Sequence, residues 1–144
     1  MTSGGGVNNH HGEDLCLLAV DGGGVRGISS LLILKKLMES LNPDDPPKPC
    51  NYFDMIGGTS TGGLIAIMLG RLHMSVDECI AEYKKLSPDI FTKIHHRVKL
   101  RDGTIRGRFN DEALKKGIQN LLIKLGVDPE ALFKEDDKES RCKT

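Results

Sequence analysis

One serine of this chain lies in a pattern typical of a catalytic nucleophile. The residues Gly58-Thr59-Ser60-Thr61-Gly62 form a G-x-S-x-G pattern between a predicted strand and a predicted helix. In such a turn the serine stands on a strained backbone, and a side chain at either glycine would collide with the neighbouring strand or helix. Ser60 would also begin a helix, where the N–H of Thr61 and the helix dipole favour a developing negative charge. The pattern predicts attack by Ser60 on a carbonyl group.

A second glycine-rich window, Gly22-Gly23-Gly24-Val25-Arg26-Gly27, also follows a predicted strand and precedes a helix. Its G-x-G-x-x-G spacing suggests dinucleotide binding, which requires an acidic ribose ligand about 20 residues further on, at the end of a strand. The candidates Asp44 and Asp45 lie instead in a proline-rich loop. The alternative is that bare N–H groups of the glycines converge on an oxyanion beside Ser60, each donor contributing about 3 kcal/mol in the transition state.

Two strand-turn-helix units position these windows. Residues 15–20 are a continuous apolar run, which predicts a fully buried strand of a parallel sheet, and residues 28–41 have the spacing of an amphipathic helix. Residues 52–56 predict a second strand, and residues 61–72 a central buried helix. Two such units in succession predict an α/β domain.

The remaining segments predict packing helices and loose ends. Ser75 followed by Glu78 is a capping box, which predicts a helix through about residue 86. Asn110 is expected to cap a further helix. Residues 1–14 lack periodicity and predict a flexible terminus, followed by one domain over residues 15–144 whose tail, from residue 134, is a loop or frayed end.

The composition excludes several classes of protein. The chain has 144 residues, with 20 Lys and Arg balanced by 20 Asp and Glu, so it has the length of about one domain and no electrostatic reason to bind nucleic acid. Its longest apolar runs are far shorter than the roughly 20 residues of a membrane-spanning helix. The first residues lack the basic start and apolar centre of a signal peptide. We therefore expect a cytoplasmic protein.

The four cysteines predict no metal site. Cys16, Cys50, Cys79 and Cys142 form no C-x-x-C pair and have no histidine at zinc spacing. We expect buried or idle thiols.

One segment carries a local excess of positive charge. Residues 93–108 contain eight basic side chains, histidines included, against the single acid Asp102. The segment is either a solvated loop or a surface for anionic lipid headgroups, where each cation would contribute about 1 kcal/mol. A protein with such a surface would be peripheral at membranes.

The two windows together resemble the N-terminal part of a patatin-like phospholipase domain. The resemblance rests on Asp21-Gly22-Gly23-Gly24-Val25-Arg26-Gly27 and on Gly58-Thr59-Ser60-Thr61-Gly62-Gly63, and it covers about residues 15–91. It is similar in style to fungal members, in which this domain is often joined to NTPase or repeat modules. The resemblance implies a three-layer α/β/α sandwich and lipid acyl hydrolysis by a Ser-Asp dyad, without histidine, metal or organic cofactor. It implies that Ser60 is the nucleophile, that Gly22, Gly23 and Gly24 line the oxyanion hole, and that Arg26 steadies the loop or meets a phosphate.

The dyad aspartate implied by the resemblance lies well over a hundred residues beyond the serine, in Asp-Gly-Gly or Asp-Gly-Ala. We therefore expect the general base to be absent from this chain, as in a domain truncated before that motif. Asp102-Gly103-Thr104 matches neither the spacing nor the third residue, and we expect His73, His95 and His96 to have no catalytic role.

Three hypotheses for the function follow. The first is a lipid acyl hydrolase that works through an acyl-serine on Ser60. The second is a catalytically incomplete fragment that binds lipid or a partner without turnover. The third, which leaves the serine motif unexplained, is a Rossmann-type nucleotide binder.

Overall fold

The computed structural model of the protein describes residues 14–91, 111–130 and 142–144. All but residue 14 of the predicted flexible terminus, the basic segment 93–108, Asn110 and most of the predicted tail lie outside these residues. The described elements, in chain order, are β1 (Leu17–Val20), a 3-10 turn (Gly24–Arg26), α1 (Gly27–Leu41), α2 (Pro49–Tyr52), β2 (Met55–Gly58), α3 (Thr61–Ala66), a π-helical segment (Ile67–Arg71), α4 (Val76–Phe91) and α5 (Asp111–Lys124). The alternation of parallel strands and helices confirms the predicted α/β class.

The two strands are parallel neighbours joined by α1. Their register pairs Leu17 with Met55 and Val20 with Gly58, so both strands end at the same edge of the sheet. The prediction of a fully buried first strand is wrong for the described residues: Val20 is buried, but Leu17 is 60% exposed. In the described part of the sheet β1 pairs on one side only, and the start of the strand is left uncovered.

The second strand begins later than the sequence predicts. Pro49 starts the helical turn α2, for which its preset φ is suited, and the N–H of Phe53 donates to the Pro49 carbonyl (2.9 Å). Asp54 then ties this region to the residues before β1, because its Oδ2 accepts from the N–H of Cys16 at 2.8 Å. Strand β2 therefore runs through Met55–Gly58 and carries the chain directly into the serine turn.

The helix after this turn lies at the centre of the core, as predicted. Ile65, Ala66, Met68 and Leu69 are almost completely buried. The helix changes from α to π geometry after Ala66, which the apolar pattern does not indicate.

Helix α4 has the predicted capping box at its start. The N–H of Ser75 donates to Glu78 Oε2 at 2.7 Å, and the N–H of Glu78 donates to Ser75 Oγ at 3.2 Å. The helix continues past the predicted end, through Pro88, to Phe91.

The last residues of the chain join the sheet instead of fraying. The N–H of Ile56 donates to the Lys143 carbonyl and the N–H of Lys143 donates to the Asp54 carbonyl, both at 2.8 Å. Lys143 thus forms a parallel bridge with Met55, and Cys142 is buried beside it. The prediction of a loose tail is wrong for residues 142–144, because the second edge of β2 offers them backbone partners.

All four cysteines are free, as predicted, and three of them are buried. Burial raises the pKa of the Cys79 thiol to about 12. Among the described residues, no group of three or more histidine, cysteine or carboxylate side chains could hold a metal ion.

Candidate active site

Ser60 lies on a sharp turn between β2 and α3. Its backbone has φ 53° and ψ −126°, a conformation that non-glycine residues rarely adopt. The turn is closed by the N–H of Gly62, which donates to the Thr59 carbonyl at 2.9 Å, and by that of Gly63, which donates to the Ser60 carbonyl at 3.0 Å. Ser60 itself is exposed. This combination of backbone strain and exposure is typical of functional sites.

The glycines on either side of the turn leave no room for side chains. A Cβ on Gly62 would overlap the Val20 carbonyl oxygen and lie 2.7 Å from the Val20 carbonyl carbon, on strand β1. A Cβ on Gly58 would overlap the Gly62 carbonyl and lie 2.8 Å from the N of Gly63. The steric requirement predicted for both glycines is confirmed, since one faces the neighbouring strand and the other the following helix.

The first glycine window lies directly against the serine turn. A Cβ on Gly22 would lie 2.7 Å from the Cβ of Ser60 and 2.8 Å from the Thr59 carbonyl oxygen. The N–H of Gly22 donates to Thr59 Oγ1 at 3.4 Å, and the N–H of Gly23 donates to Thr61 Oγ1 at 3.1 Å. The two threonines of the turn therefore hold two consecutive amides of the glycine loop.

These bonds change the expectation for the loop amides. The sequence predicts that Gly22, Gly23 and Gly24 all face an oxyanion, but the N–H groups of the first two are already bonded to threonine hydroxyls. Among the hydrogen bonds of the described residues, none occupies the N–H of Gly24. Gly24 has φ 58°, in the left-handed region that favours glycine.

A buried tyrosine on α4 supports the loop from behind. Tyr83 is 1% exposed, and its hydroxyl donates to the Gly24 carbonyl at 2.6 Å. Burial raises the pKa of Tyr83, and a hydrogen bond from the Thr61 side chain acts in the opposite direction. A Cβ on Gly27 would overlap this hydroxyl and lie 2.9 Å from Tyr83 Cζ. The end of the tyrosine side chain therefore occupies the place that a side chain at position 27 would need. The sequence carries no signal for this residue, because Tyr83 is one apolar position of a packing helix.

Arg26 has an exposed side chain on the 3-10 turn. Its backbone N–H donates to the Gly23 carbonyl at 3.2 Å. In the described part of the chain it makes no ion pair, so its predicted contact with a phosphate stays a prediction.

The histidine and acidic candidates are not brought to Ser60 by any described contact. His73 follows the far end of the helix that Ser60 begins, which places it on the order of 15 Å away. It is exposed, and its carbonyl accepts from Lys48 Nζ at 2.9 Å. His95, His96 and Asp102 lie outside the described residues.

The acidic candidates for nucleotide binding also lie away from any strand end. The N–H groups of Asp44 and Asp45 both bond to Asn42 Oδ1 at 3.3 Å, in the exposed loop after α1. Strand β2 ends at Gly58 and the serine turn, where a ribose ligand would have to stand. This arrangement does not support the dinucleotide hypothesis.

Comparison with known proteins agrees with the motifs. A protein-family model described as patatin-like phospholipase matches residues 18–138. Calcium-independent phospholipase A2-gamma of Rattus norvegicus is 44% identical over 90 residues, which cover 62% of this chain and 11% of the relative. Patatin-like protein 2 of Oryza sativa subsp. indica is 39% identical over 132 residues, covering 74% of this chain and 33% of the relative. Phospholipase A I of Arabidopsis thaliana is 38% identical over 82 residues, which cover 56% of this chain and 6% of the relative.

The chain thus spans a third or less of each of these relatives. No solved structure matches it. Within residues 14–91, 111–130 and 142–144, no helix combines the length and the apolar character needed to cross a membrane. The family match covers both glycine windows, the serine turn and the helices that pack behind them. This chain belongs to the patatin-like phospholipase family.

Proposed function

We propose that the chain carries the nucleophile and the oxyanion-binding loop of a lipid acyl hydrolase, with Ser60 as the attacking group. The observation that supports this most directly is the close approach of Gly22 to Ser60, which sets a loop without side chains against an exposed, strained serine. The names of the relatives, which are phospholipases and patatin-like proteins, support a lipid ester as the substrate.

The proposed reaction has two stages. Ser60 Oγ forms a bond to the ester carbonyl carbon, its proton passes to a base, and the carbonyl electrons move onto oxygen. Collapse of this intermediate breaks the bond to the leaving alcohol, which takes up the proton and departs. Water then hydrolyses the acyl-serine by the same steps, releasing a fatty acid and restoring Ser60.

We assign the N–H of Gly24 as the loop donor to the oxyanion. Its neighbours at Gly22 and Gly23 donate to Thr59 and Thr61, whereas the described hydrogen bonds leave the amide of Gly24 unoccupied. One such donor contributes about 3 kcal/mol when it is aimed at the developing charge. The side chains of Thr59 and Thr61 would then shape the loop, leaving Gly24 to bind the oxygen.

The base is proposed to come from outside the described residues. In the part of the chain that the structure describes, no carboxylate or imidazole is hydrogen-bonded to Ser60. A positioned base contributes about 10²- to 10⁴-fold to such a reaction. Because the described residues hold no base on Ser60, lipid binding without turnover is the second candidate function.

Fluorophosphonate labelling separates these functions. We expect the chain to be labelled at Ser60, Ser60→Ala to be unlabelled, and Ser29→Ala, which removes an exposed serine of α1, to be labelled like the wild type. Peptide mass spectrometry locates the adduct, and release of fatty acid from phosphatidylcholine vesicles measures turnover. Labelling that persists in Ser60→Ala would refute the nucleophile assignment, and lipid binding without labelling would support binding without turnover.

Membrane association of the basic segment 93–108, a cytoplasmic location and further modules in a longer protein stay proposals drawn from the sequence. Binding to anionic vesicles, compared with neutral ones and at raised salt, tests the first of these.

A further inference from the structure

Thr61 and Tyr83 each hold one residue of the glycine loop by a hydrogen bond. The N–H of Gly23 donates to Thr61 Oγ1 at 3.1 Å, and the Tyr83 hydroxyl donates to the Gly24 carbonyl at 2.6 Å. Both ends of the Gly23–Gly24 dipeptide are therefore held by buried side chains.

The loop needs such support from outside itself. Three consecutive glycines have more backbone freedom to lose than any other tripeptide, and they carry no side chains that could anchor them. Thr61 is 9% exposed and Tyr83 1%, so water competes little for these bonds. The two side chains come from different elements, the first turn of α3 and the middle of α4, and both bond to this loop.

The bond to Gly24 also bears on the neighbouring amide. The Gly24 N–H shares a peptide plane with the Gly23 carbonyl, which accepts from the N–H of Arg26 at 3.2 Å, and the bond from Tyr83 fixes the next peptide plane, on the other side of the Gly24 Cα. Tyr83→Phe would keep the ring beside Gly27 but leave the loop carbonyl unheld.

We propose that Thr61 and Tyr83 are positioning residues, which hold the Gly23–Gly24 segment in register with Ser60 so that the Gly24 amide is ready to bind the oxyanion. The inference rests on the proposed function in one respect only, the chemistry at Ser60. The hydrogen-bonded geometry of the loop can be tested without it.

The test compares Thr61→Val, Thr61→Ser and Tyr83→Phe with the wild-type chain. Valine keeps the shape of threonine without the hydroxyl, and serine restores the hydroxyl. Ser87→Ala is the matched control, because it removes a hydroxyl bonded to the Tyr83 carbonyl one turn along α4 and leaves the loop untouched.

The first readout is amide hydrogen exchange at Gly23, followed by NMR. We expect exchange about 10-fold faster in Thr61→Val, the equivalent of one lost hydrogen bond, and near the wild-type rate in Thr61→Ser and Ser87→Ala. Exchange at Gly23 that is unchanged in Thr61→Val would overturn the proposal.

The second readout is the concentration dependence of fluorophosphonate labelling. In Thr61→Val and Tyr83→Phe we expect the maximal labelling rate to fall about 10-fold or more while the half-saturating concentration stays the same, with rescue by Thr61→Ser. The proposal would also be overturned if Thr61→Val and Tyr83→Phe were labelled at the wild-type rate, or if Ser87→Ala lost as much of its labelling rate as they do. If the wild type is not labelled at all, the proposed function fails, and exchange at Gly23 still decides whether Thr61 holds the loop.

Discussion

Gly22 and Ser60, which are 38 positions apart in the chain, approach so closely that a methyl group on Gly22 would lie 2.7 Å from the Cβ of Ser60. The approach brings the two glycine-rich windows of the sequence together at one edge of the sheet, where β1 and β2 both end. Both windows therefore lie at one place in the fold, which agrees with the acyl-transfer hypothesis. The dinucleotide hypothesis uses only the first of them.

Gly22→Ala is expected to disable the site while the neighbouring Gly23→Ala does not. The new methyl group of Gly22→Ala would press on Ser60 and Thr59, and a displacement of about 1 Å at a reacting group lowers rates on the order of 100-fold. The methyl group of Gly23→Ala would lie 3.4 Å from Arg26 Cβ, close to ordinary contact. The rate of fluorophosphonate labelling is measured for both variants and for the wild type. Equal rates for the two variants would contradict the steric argument.

Gly58→Ala is expected to destabilise the chain strongly, with Gly57→Ala as the control one position earlier in β2. The methyl group at position 58 would meet backbone atoms of Gly62 and Gly63, which cannot move aside, at an expected loss of about 3 kcal/mol. At position 57 nothing lies within 4 Å, and the loss of glycine freedom favours folding by about 0.5 kcal/mol. Urea unfolding of the three proteins gives these free energies, and similar stabilities for both variants would refute the prediction.

Ser60→Gly is expected to be more stable than the wild type and inactive. The positive φ of Ser60 stores strain that glycine does not incur, so the free energy of unfolding should rise by about 1 kcal/mol. Ser60→Ala keeps the Cβ and therefore the strain, and it should unfold like the wild type. If both variants were more stable than the wild type, relief of the backbone strain would not be the cause of the added stability.

The capping box of α4 predicts a pH dependence of stability. Hydrogen bonds from the backbone and side chain of Ser75 lower the pKa of Glu78 below its ordinary value of 4.5. A carboxyl whose pKa is lowered by folding stabilises the protein fully above that ordinary value and loses this effect as the pH falls through the lowered one. At pH 7 the wild type should therefore exceed Glu78→Gln by about 0.5 kcal/mol, because the charge also faces the helix N-terminus.

Thermal unfolding between pH 3 and pH 7 checks this. The two melting curves should converge below pH 4.5. Ser75→Ala should remain destabilised by about 1 kcal/mol at pH 7, since it removes the cap that holds the first turn. A Glu78→Gln difference that stays constant down to pH 3 would contradict the assignment.

The parts of the site that could be predicted are those governed by neighbours in the chain. The serine turn, its two flanking glycines and the capping box each follow from backbone freedom or from side chains three residues apart. The start of β2 could not be predicted in the same way, because Tyr52 favours strands locally while Pro49 begins a helical turn. The bridge from Lys143 to Met55 depends on an unpaired edge that the sequence does not reveal.

By itself the sequence determined the order of the two strands and the longer helices, the place of Ser60 at a sharp turn and the presence of a loop without side chains. These are local properties, set by periodicity and by what each backbone can adopt. Only the tertiary structure decided that Gly22 lies against Ser60, that the threonines take two loop amides, and that the Tyr83 hydroxyl reaches the Gly24 carbonyl across 59 positions. Such contacts depend on how the sheet and helices pack, and spacing along the chain carries no record of them.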